Sequence, residues 1–400
     1  MGRHASSLLL LMLVVACGPS PVSTPGLTSS SGTRTQSSNP GLSPSPVPSA
    51  PLAVMINLSA NTQTVSLVDR DGTVVAGTTT AAPDLEPVPF SGTPTAFLQG
   101  GPPGIGGVCC GVTLPEVSTT MRRAYFLAGR NQLRYLGVDG STGVALVLPN
   151  VRGQSQAVFA VSPDDSRIAM SVFDWSTSPL KVTISVEDLD GKRRVDIFSS
   201  TSVYEWPVAW HSGDLVVAVG SVYGGAPNPY AAVSYHVADP NTGTRLATLG
   251  STGCPAIGPI VQAGTLCNRV CTGGDVHNVA PGAQVCLDAV DWSGTQRTLL
   301  RYKDSNTIGT WAALSPNGTM AVVDDAGPPI GESLVRANAE PVAIVQVDTP
   351  VAWWLDDDTV ALFGTHVAGS NGSFYRLSTA KLIPFDDSLG FVEGAVPGVS

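Results

Sequence analysis

Charged and aromatic side chains are scarce in this 400-residue sequence. Only 13% of its residues are charged and 6% are aromatic, whereas 43 Gly and 32 Pro interrupt it throughout. Chain-breaking residues at that density exclude a helical bundle or a coiled coil, because each would disrupt a helix interior. Basic residues are also few, with 21 Lys and Arg against 31 Asp and Glu. A net charge of −10 offers no basic field for nucleic acid or for an anionic membrane surface.

The apolar run at the start of the chain is too short to span a membrane. Leu8–Val15 has eight residues, whereas a spanning helix needs about 20. Arg3 precedes the run and Ala16-Cys17 follows it, so residues 1–16 are predicted to be an export signal. Val14-Val15-Ala16-Cys17 resembles the lipobox of bacterial lipoproteins. That resemblance implies cleavage before Cys17 and attachment of a diacylglycerol to its thiol; a plain signal peptide is the alternative.

The next segment has the composition of a disordered tether. Residues 18–51 consist almost wholly of Ser, Thr, Pro and Gly, with Arg34 as the only charge. Such a segment cannot bury enough apolar surface to offset the entropy of ordering it. We therefore expect residues 17–51 to be a lipidated cysteine and a flexible tether. The folded domain, residues 52–400, would then be held on the extracytoplasmic face of the cell membrane.

Short apolar runs separated by turn residues every 8 to 12 positions predict an all-β domain from Leu52 onward. Val158–Met170 and Trp311–Val323 share one pattern, an apolar strand, a Ser-Pro turn and a second apolar strand. Each repeat is one four-stranded antiparallel meander, too small to bury its own faces, which predicts a β-propeller. A layered β-sandwich is the alternative. Seven units are expected near residues 52–90, 91–150, 155–200, 204–250, 252–303, 308–348 and 351–390.

The first unit has no clear inner strand, so six blades is the alternative count. Phe391-Val392 and the residues after them are left over, and we expect them to help close the ring. The repeats resemble the WD-like propeller repeats of TolB-type periplasmic proteins, on Ser162–Ala169 and Ser315–Gly318. Trp210 and Trp353 fall where the tryptophan of that family stands. The resemblance implies an extracytoplasmic scaffold or recognition role, although residue 165 is not the glycine of the family.

Six cysteines remain after Cys17, and an even number in an exported chain predicts disulfides. A bond between Cys271 and Cys286 would staple a long loop, and Cys254 and Cys267 could pair across neighbouring strands. Cys109 and Cys110 would then form a vicinal pair or bond elsewhere. Six cysteines allow 15 pairings, and the spacing does not choose among them. A zinc site on Cys267, Cys271 and His277 is the less favoured reading, and we expect no metal and no cofactor.

No motif for a nucleophile, a metalloprotease or a phosphate-binding loop occurs in the sequence. Long connections between second and third strands, among them residues 324–341 and 366–373, should emerge on one face of a propeller, where recognition usually occurs. The candidate binding residues on that rim are Asp174, Trp175, Tyr223, Tyr230, Asp325 and His366.

A non-catalytic binding or assembly module for a protein or peptide in the cell envelope is the function that these patterns favour. We expect the domain to be monomeric. A carbohydrate hydrolase or lyase with carboxylates in the central funnel stays open as the alternative, because such carboxylates form no local motif.

Overall fold

The computed structural model describes residues 46–84, 117–174, 176–179, 181–220, 232–251, 253–274, 282–303, 308–325, 331–346, 352–367 and 369–399. The predicted signal, Cys17 and most of the tether fall in residues 1–45, outside the described part of the chain. Cys109 and Cys110 lie outside it as well. No helix among the described residues is long and apolar enough to cross a membrane.

Twenty-eight strands occur in the described residues, and they form seven four-stranded antiparallel sheets. Six sheets consist of four strands that are consecutive in the chain. Blade 2 contains β4 (Val117–Thr119), β5 (Arg123–Ala128), β6 (Gln132–Gly137) and β7 (Thr142–Val147). Blade 3 contains β8 (Gln154–Val161), β9 (Arg167–Asp174), β10 (Lys181–Asp188) and β11 (Val195–Ser200). Blade 4 contains β12 (Tyr204–His211), β13 (Asp214–Gly220), β14 (Ala232–Ala238) and β15 (Arg245–Leu249).

The next three blades continue this order towards the end of the chain. Blade 5 contains β16 (Ala256–Val261), β17 (Gly264–Val270), β18 (Gln284–Val290) and β19 (Gln296–Lys303). Blade 6 contains β20 (Ile308–Leu314), β21 (Met320–Asp325), β22 (Gly331–Arg336) and β23 (Val342–Gln346). Blade 7 contains β24 (Ala352–Trp354), β25 (Thr359–Val367), β26 (Ser370–Arg376) and β27 (Lys381–Phe385).

Blade 1 joins the two ends of the propeller. It contains β1 (Leu52–Leu58), β2 (Thr62–Val68) and β3 (Val74–Ala81), and its fourth strand is β28 (Phe391–Val396). Strand β28 pairs antiparallel with β1, with Leu52 opposite Val396 and Ile56 opposite Phe391. The inner strand that the first repeat lacks in sequence is therefore supplied from beyond residue 390. The seven-blade propeller is confirmed, and six blades is wrong.

Apolar clusters fill every interface between neighbouring blades. At the closing interface, Met55 of blade 1 packs in one cluster with Phe363 and Phe374 of blade 7. The other six interfaces have equivalent clusters, so each meander buries its faces against its two neighbours. This burial is the reason that no single blade could be stable alone.

The tight turns between third and fourth strands are stabilised by aspartates. The Asp69 carboxylate accepts hydrogen bonds from the backbone N–H groups of Asp71 and Thr73, both at 2.9 Å. Asp291 accepts equivalent bonds from Ser293 and Thr295 at 2.9 Å. These carboxylates take the place of a further backbone acceptor inside the turn, which is why the turn repeats around the ring.

Two connections between second and third strands are shorter than the sequence indicates. The sequence predicts long loops at 324–341 and 366–373. In the structure, β21 continues to Asp325 and β22 begins at Gly331, while β25 continues to Val367 and β26 begins at Ser370. His366 therefore lies within β25, not in a loop. The register of β25 against β26 shifts between Phe363 and Val367. That irregularity falls at Gly364-Thr365-His366, which is why a stretch that resembles a loop in sequence lies within the strand.

The fifth blade contains two disulfides. Cys254 is bonded to Cys267 and Cys271 is bonded to Cys286. The second bond closes the connection between β17 and β18, because Cys271 follows β17 directly and Cys286 lies in β18. With Cys267 and Cys271 both in disulfides, neither has a free thiolate for the zinc site considered above. No cluster of His, Cys, Asp or Glu among the described residues could hold a metal ion.

Candidate functional site: the central channel

A channel of about 290 Å³ runs where the first strands of the blades meet. Every blade contributes at least one lining residue from its inner strand. These residues are Glu393, Ser118, Val161, Val208, Ile260, Leu314 and Trp353, from β28, β4, β8, β12, β16, β20 and β24. A cavity that touches all seven inner strands is the central channel of the propeller.

The mouth of this channel lies on the face that carries the short turns. All inner strands run in the same direction, so their C-terminal ends meet at one face of the ring. The lining includes Gln262, which directly follows β16. It also includes Pro316 and Asp356, which lie two residues after β20 and β24. We call this side, with turns such as 262–263 and 355–358, the turn face. The opposite side, where second strands such as β9 and β17 end, is the loop face.

Apolar side chains dominate the channel wall. Val208, Ile260 and Trp353 are half-buried there and present part of their apolar surface to the channel. Three carboxylates also contribute, namely Glu393, Asp356 and Asp357. Both aspartates accept backbone hydrogen bonds. Asp356 accepts from the Asp358 N–H of its own turn at 2.8 Å, and Asp357 accepts from the Asn317 N–H of the blade 6 turn at 2.9 Å.

The segment that follows β28 lies at the mouth of the channel. Pro397, Gly398 and Val399 are part of the lining. The Gly398 N–H donates to the carbonyl of Thr120 at 2.9 Å, and its carbonyl accepts from Gln262 Nε2 at 2.7 Å. Thr120 belongs to the turn after β4 and Gln262 to the turn after β16. The segment is thus held between blades 2 and 5, on opposite sides of the mouth.

Gln262 is positioned by two aromatic rings. Its carbonyl accepts a hydrogen bond from Trp292 Nε1 at 2.7 Å. The Trp292 ring stacks on the His211 ring, with centroids 4.0 Å apart and planes 6° apart. His211 ends β12 and Trp292 lies in a turn of blade 5, so the stack joins blades 4 and 5 beside the segment.

Tryptophans at the ends of inner strands take two different roles. Trp210 Nε1 donates to the Ala160 carbonyl at 3.1 Å, and Trp354 Nε1 donates to the Ala313 carbonyl at 2.8 Å. Each bond reaches the inner strand of the preceding blade. Trp354, not Trp353, therefore occupies the place equivalent to Trp210, which corrects the sequence alignment. Because side chains alternate along a strand, Trp353 is left at the channel.

The predicted rim on the loop face is only partly within the described residues. Asp174 ends β9, where its carboxylate accepts from Gln154 Nε2 at 3.0 Å and from Ser176 Oγ at 2.5 Å. Trp175, Tyr223 and Tyr230 lie outside the described residues. Asp325 and His366 lie at the loop-face ends of β21 and β25.

No sequence pattern indicates the channel. Gln262 and Gly398 belong to no motif, the sequence matches Trp353 only to the tryptophan of the repeat, and the three line one channel only when the ring closes. The sequence did show a surplus of residues from Phe391 onward. That surplus predicted closure of the ring, but it did not predict that the channel opens at the turn face.

A buried ion pair links blades 2 and 3 and explains the departure at residue 165. Arg123 Nη1 lies 2.8 Å from Asp165 Oδ2, with side-chain exposures of 3% and 8%. The Tyr125 hydroxyl donates to Asp165 Oδ1 at 3.1 Å. Burial, together with the Asp165 charge, raises the pKa of Tyr125 above its ordinary range. Asp165 thus adopts a left-handed φ of 62° and still reaches the neighbouring blade.

A second buried ionisable group lies in blade 4. His236 Nδ1 is 3.7 Å from Glu205 Oε1, and both side chains are largely buried. Burial, with a smaller contribution from the Arg245 charge, lowers the pKa of His236 to about 4. Burial raises the pKa of Glu205 above its usual value, against the opposing effect of Arg245. Both shifts favour the neutral forms, as expected for groups removed from water.

No protein-family model and no curated protein matches the sequence. Among solved structures, the chain is similar to an oligogalacturonate lyase in complex with manganese, at 10% identity, 68% coverage of this chain, 77% of that chain and a TM-score of 0.47. It is similar to a putative TolB from Agrobacterium tumefaciens, at 14% identity, 60% and 84% coverage and a TM-score of 0.35.

A third similar structure is the β-propeller domain of Cps50 (Swd1) from Myceliophteria thermophila, at 8% identity, 78% and 93% coverage and a TM-score of 0.42. Likenesses of this size carry no information about activity. The fold assignment therefore rests on the pairing of the strands themselves.

Proposed function

We propose that this chain is a lipid-anchored, extracytoplasmic β-propeller that binds a protein partner and does not catalyse a reaction. The observation that carries the proposal is the apolar channel mouth, with the half-buried Trp353 in its wall. Desolvated aromatic and aliphatic side chains are typical of the centres of protein interfaces. A reaction would need polar groups converging on one point, whereas Asp356 and Asp357 accept backbone hydrogen bonds.

The anchor rests on the sequence around Cys17. Two or three acyl chains on this residue would give stable membrane attachment, at about 0.8 kcal/mol per buried methylene. We expect the Cys17→Ala variant to lose incorporation of a clickable palmitate analogue and to leave the washed membrane fraction. A variant that stays labelled and membrane-bound would contradict the anchor.

The binding role is tested by placing a photo-crosslinking amino acid in the living cell. At position 353 we expect a covalent adduct with one recurrent envelope protein, identified by mass spectrometry. Position 342 is the matched control, because Val342 lies on an outer strand and is 57% exposed. Position 175 tests the predicted loop-face rim. An adduct at 175 but not at 353 would move the binding site to the loop face, and no adduct at either would refute the proposal.

Carbohydrate cleavage is the second candidate, because Glu393 brings a largely buried carboxylate to the channel that Asp356 and Asp357 also line. Glycoside chemistry requires such carboxylates in pairs. The test is release of reducing ends from a panel of oligosaccharides by the wild type and by Glu393→Gln. Cleavage that depends on Glu393 would establish this function in place of the binding role.

A further inference from the structure

The segment 397–399 is held as a bound peptide would be. Both main-chain polar groups of Gly398 are taken by the channel mouth, the N–H by the Thr120 carbonyl and the carbonyl by Gln262 Nε2. Hydrogen bonds to the main chain give affinity that does not depend on the side chain, and neighbouring pockets then supply selectivity. One of the two partners, Gln262, is a side chain from an exposed turn.

Steric exclusion selects for glycine at the centre of the segment. A Cβ on Gly398 would lie 2.3 Å from the Thr119 carbonyl oxygen and 2.5 Å from Thr119 Oγ1. The carbonyl belongs to a strand that pairs with β5, so it cannot move aside without disturbing the sheet. Pro397 and Val399, on either side, both contribute to the apolar lining.

The segment leaves part of the channel unfilled. About 290 Å³ remains beside it, bounded by half-buried apolar side chains that include Val208, Ile260 and Trp353. A longer or bulkier apolar peptide could therefore fill space that Pro397 and Val399 leave open. Such a peptide would gain apolar burial that the internal segment does not have.

We propose that the channel mouth is a binding site for a peptide segment with a glycine flanked by apolar residues, and that 397–399 occupies it as an internal competitor. The inference rests on the proposed binding function, because the incoming peptide would belong to the partner. A tethered competitor acts at an effective concentration on the order of millimolar. The apparent affinity for an external peptide is its intrinsic affinity multiplied by the fraction of molecules in which the mouth is vacant.

The test is fluorescence polarisation with a labelled synthetic peptide, Ala-Val-Pro-Gly-Val-Ser, which copies residues 395–400. Binding is measured to the full-length protein and to its Gly398→Ala variant, whose internal segment cannot seat. We expect the variant to bind the peptide at least about tenfold more tightly than the wild type. Gly253→Ala is the matched control, because a Cβ there meets nothing closer than 3.9 Å, and it should bind like the wild type.

Two further measurements make the outcome specific. A peptide with Ala in place of its glycine should not bind Gly398→Ala, and adding Gln262→Ala to that variant should weaken binding of the original peptide about tenfold. Equal binding to wild type and Gly398→Ala, with unchanged thermal melts, would overturn the proposal, as would equal binding of the Ala peptide.

If Gly398→Ala does not fold, Gln262→Ala alone serves as the second variant. It removes a bond made both to the internal segment and to the external peptide. A labelled peptide attached through a flexible linker after Ser400 should then exchange with free peptide faster than in the wild type. Unchanged exchange would refute the role of 397–399 as an internal competitor. Peptide binding without any adduct at position 353 in cells would support this site while contradicting the proposed partner.

Discussion

Replacing Asp165 tests whether the interface between blades 2 and 3 depends on its buried ion pair. Asp165→Gly removes the carboxylate and places at this left-handed position the residue that adopts such a φ most readily. It leaves Arg123, with a side chain 3% exposed, without its carboxylate partner at 2.8 Å. The Tyr125 hydroxyl also loses its acceptor at 3.1 Å.

The magnitude follows from two opposing effects. Removing one partner of a buried ion pair destabilises a protein by about 3–5 kcal/mol. Glycine relieves the left-handed φ of 62°, which is unfavourable for a residue with a Cβ by about 1 kcal/mol. The net loss in the free energy of unfolding should be about 2–4 kcal/mol.

The assay is urea denaturation at pH 7, followed by tryptophan fluorescence and circular dichroism. Asp165→Asn is the matched control, because asparagine tolerates a left-handed φ and its amide oxygen can accept from Arg123. It should lose less than half as much as Asp165→Gly. A glycine variant as stable as the wild type would refute the reasoning, since relief of backbone strain would then outweigh the ion pair.

Two other predictions concern stability. Because the pKa of His236 is lowered to about 4, the unfolded state takes up its proton first as pH falls below about 6.5, and stability declines from there to about pH 4. His236→Gln removes this loss, so the free energy of unfolding of the wild type should fall by up to about 3 kcal/mol relative to the variant across that window. Parallel pH profiles would contradict this prediction, and Glu205 titrates in both proteins. Cys271→Ser with Cys286→Ser opens a loop of 15 residues, and the free energy of unfolding should fall by about 3 kcal/mol. Reducing agent should then lower the free energy of unfolding of the wild type more than that of the double variant.

Local patterns in the sequence determined the repeat and its turns. Alternating apolar residues and turn aspartates act over a few positions, so the meanders could be recognised without knowing their neighbours. Seven repeats could be counted in this way, although the first lacked an inner strand. The residues left over after 390 indicated where that missing strand could come from. Asp291, like Asp69, forms its turn from hydrogen bonds to residues no more than four positions away.

Tertiary structure alone decided the channel and what lies in it. Gln262 and Gly398 are 136 positions apart and meet only because β28 returns to pair with β1. Which of two adjacent tryptophans enters the interface also depends on strand register, since a shift of one residue exchanges the two faces. Asp165 shows the same limit, because its partner Arg123 belongs to another blade. Contacts between blades follow from ring closure, and no stretch of sequence encodes them locally.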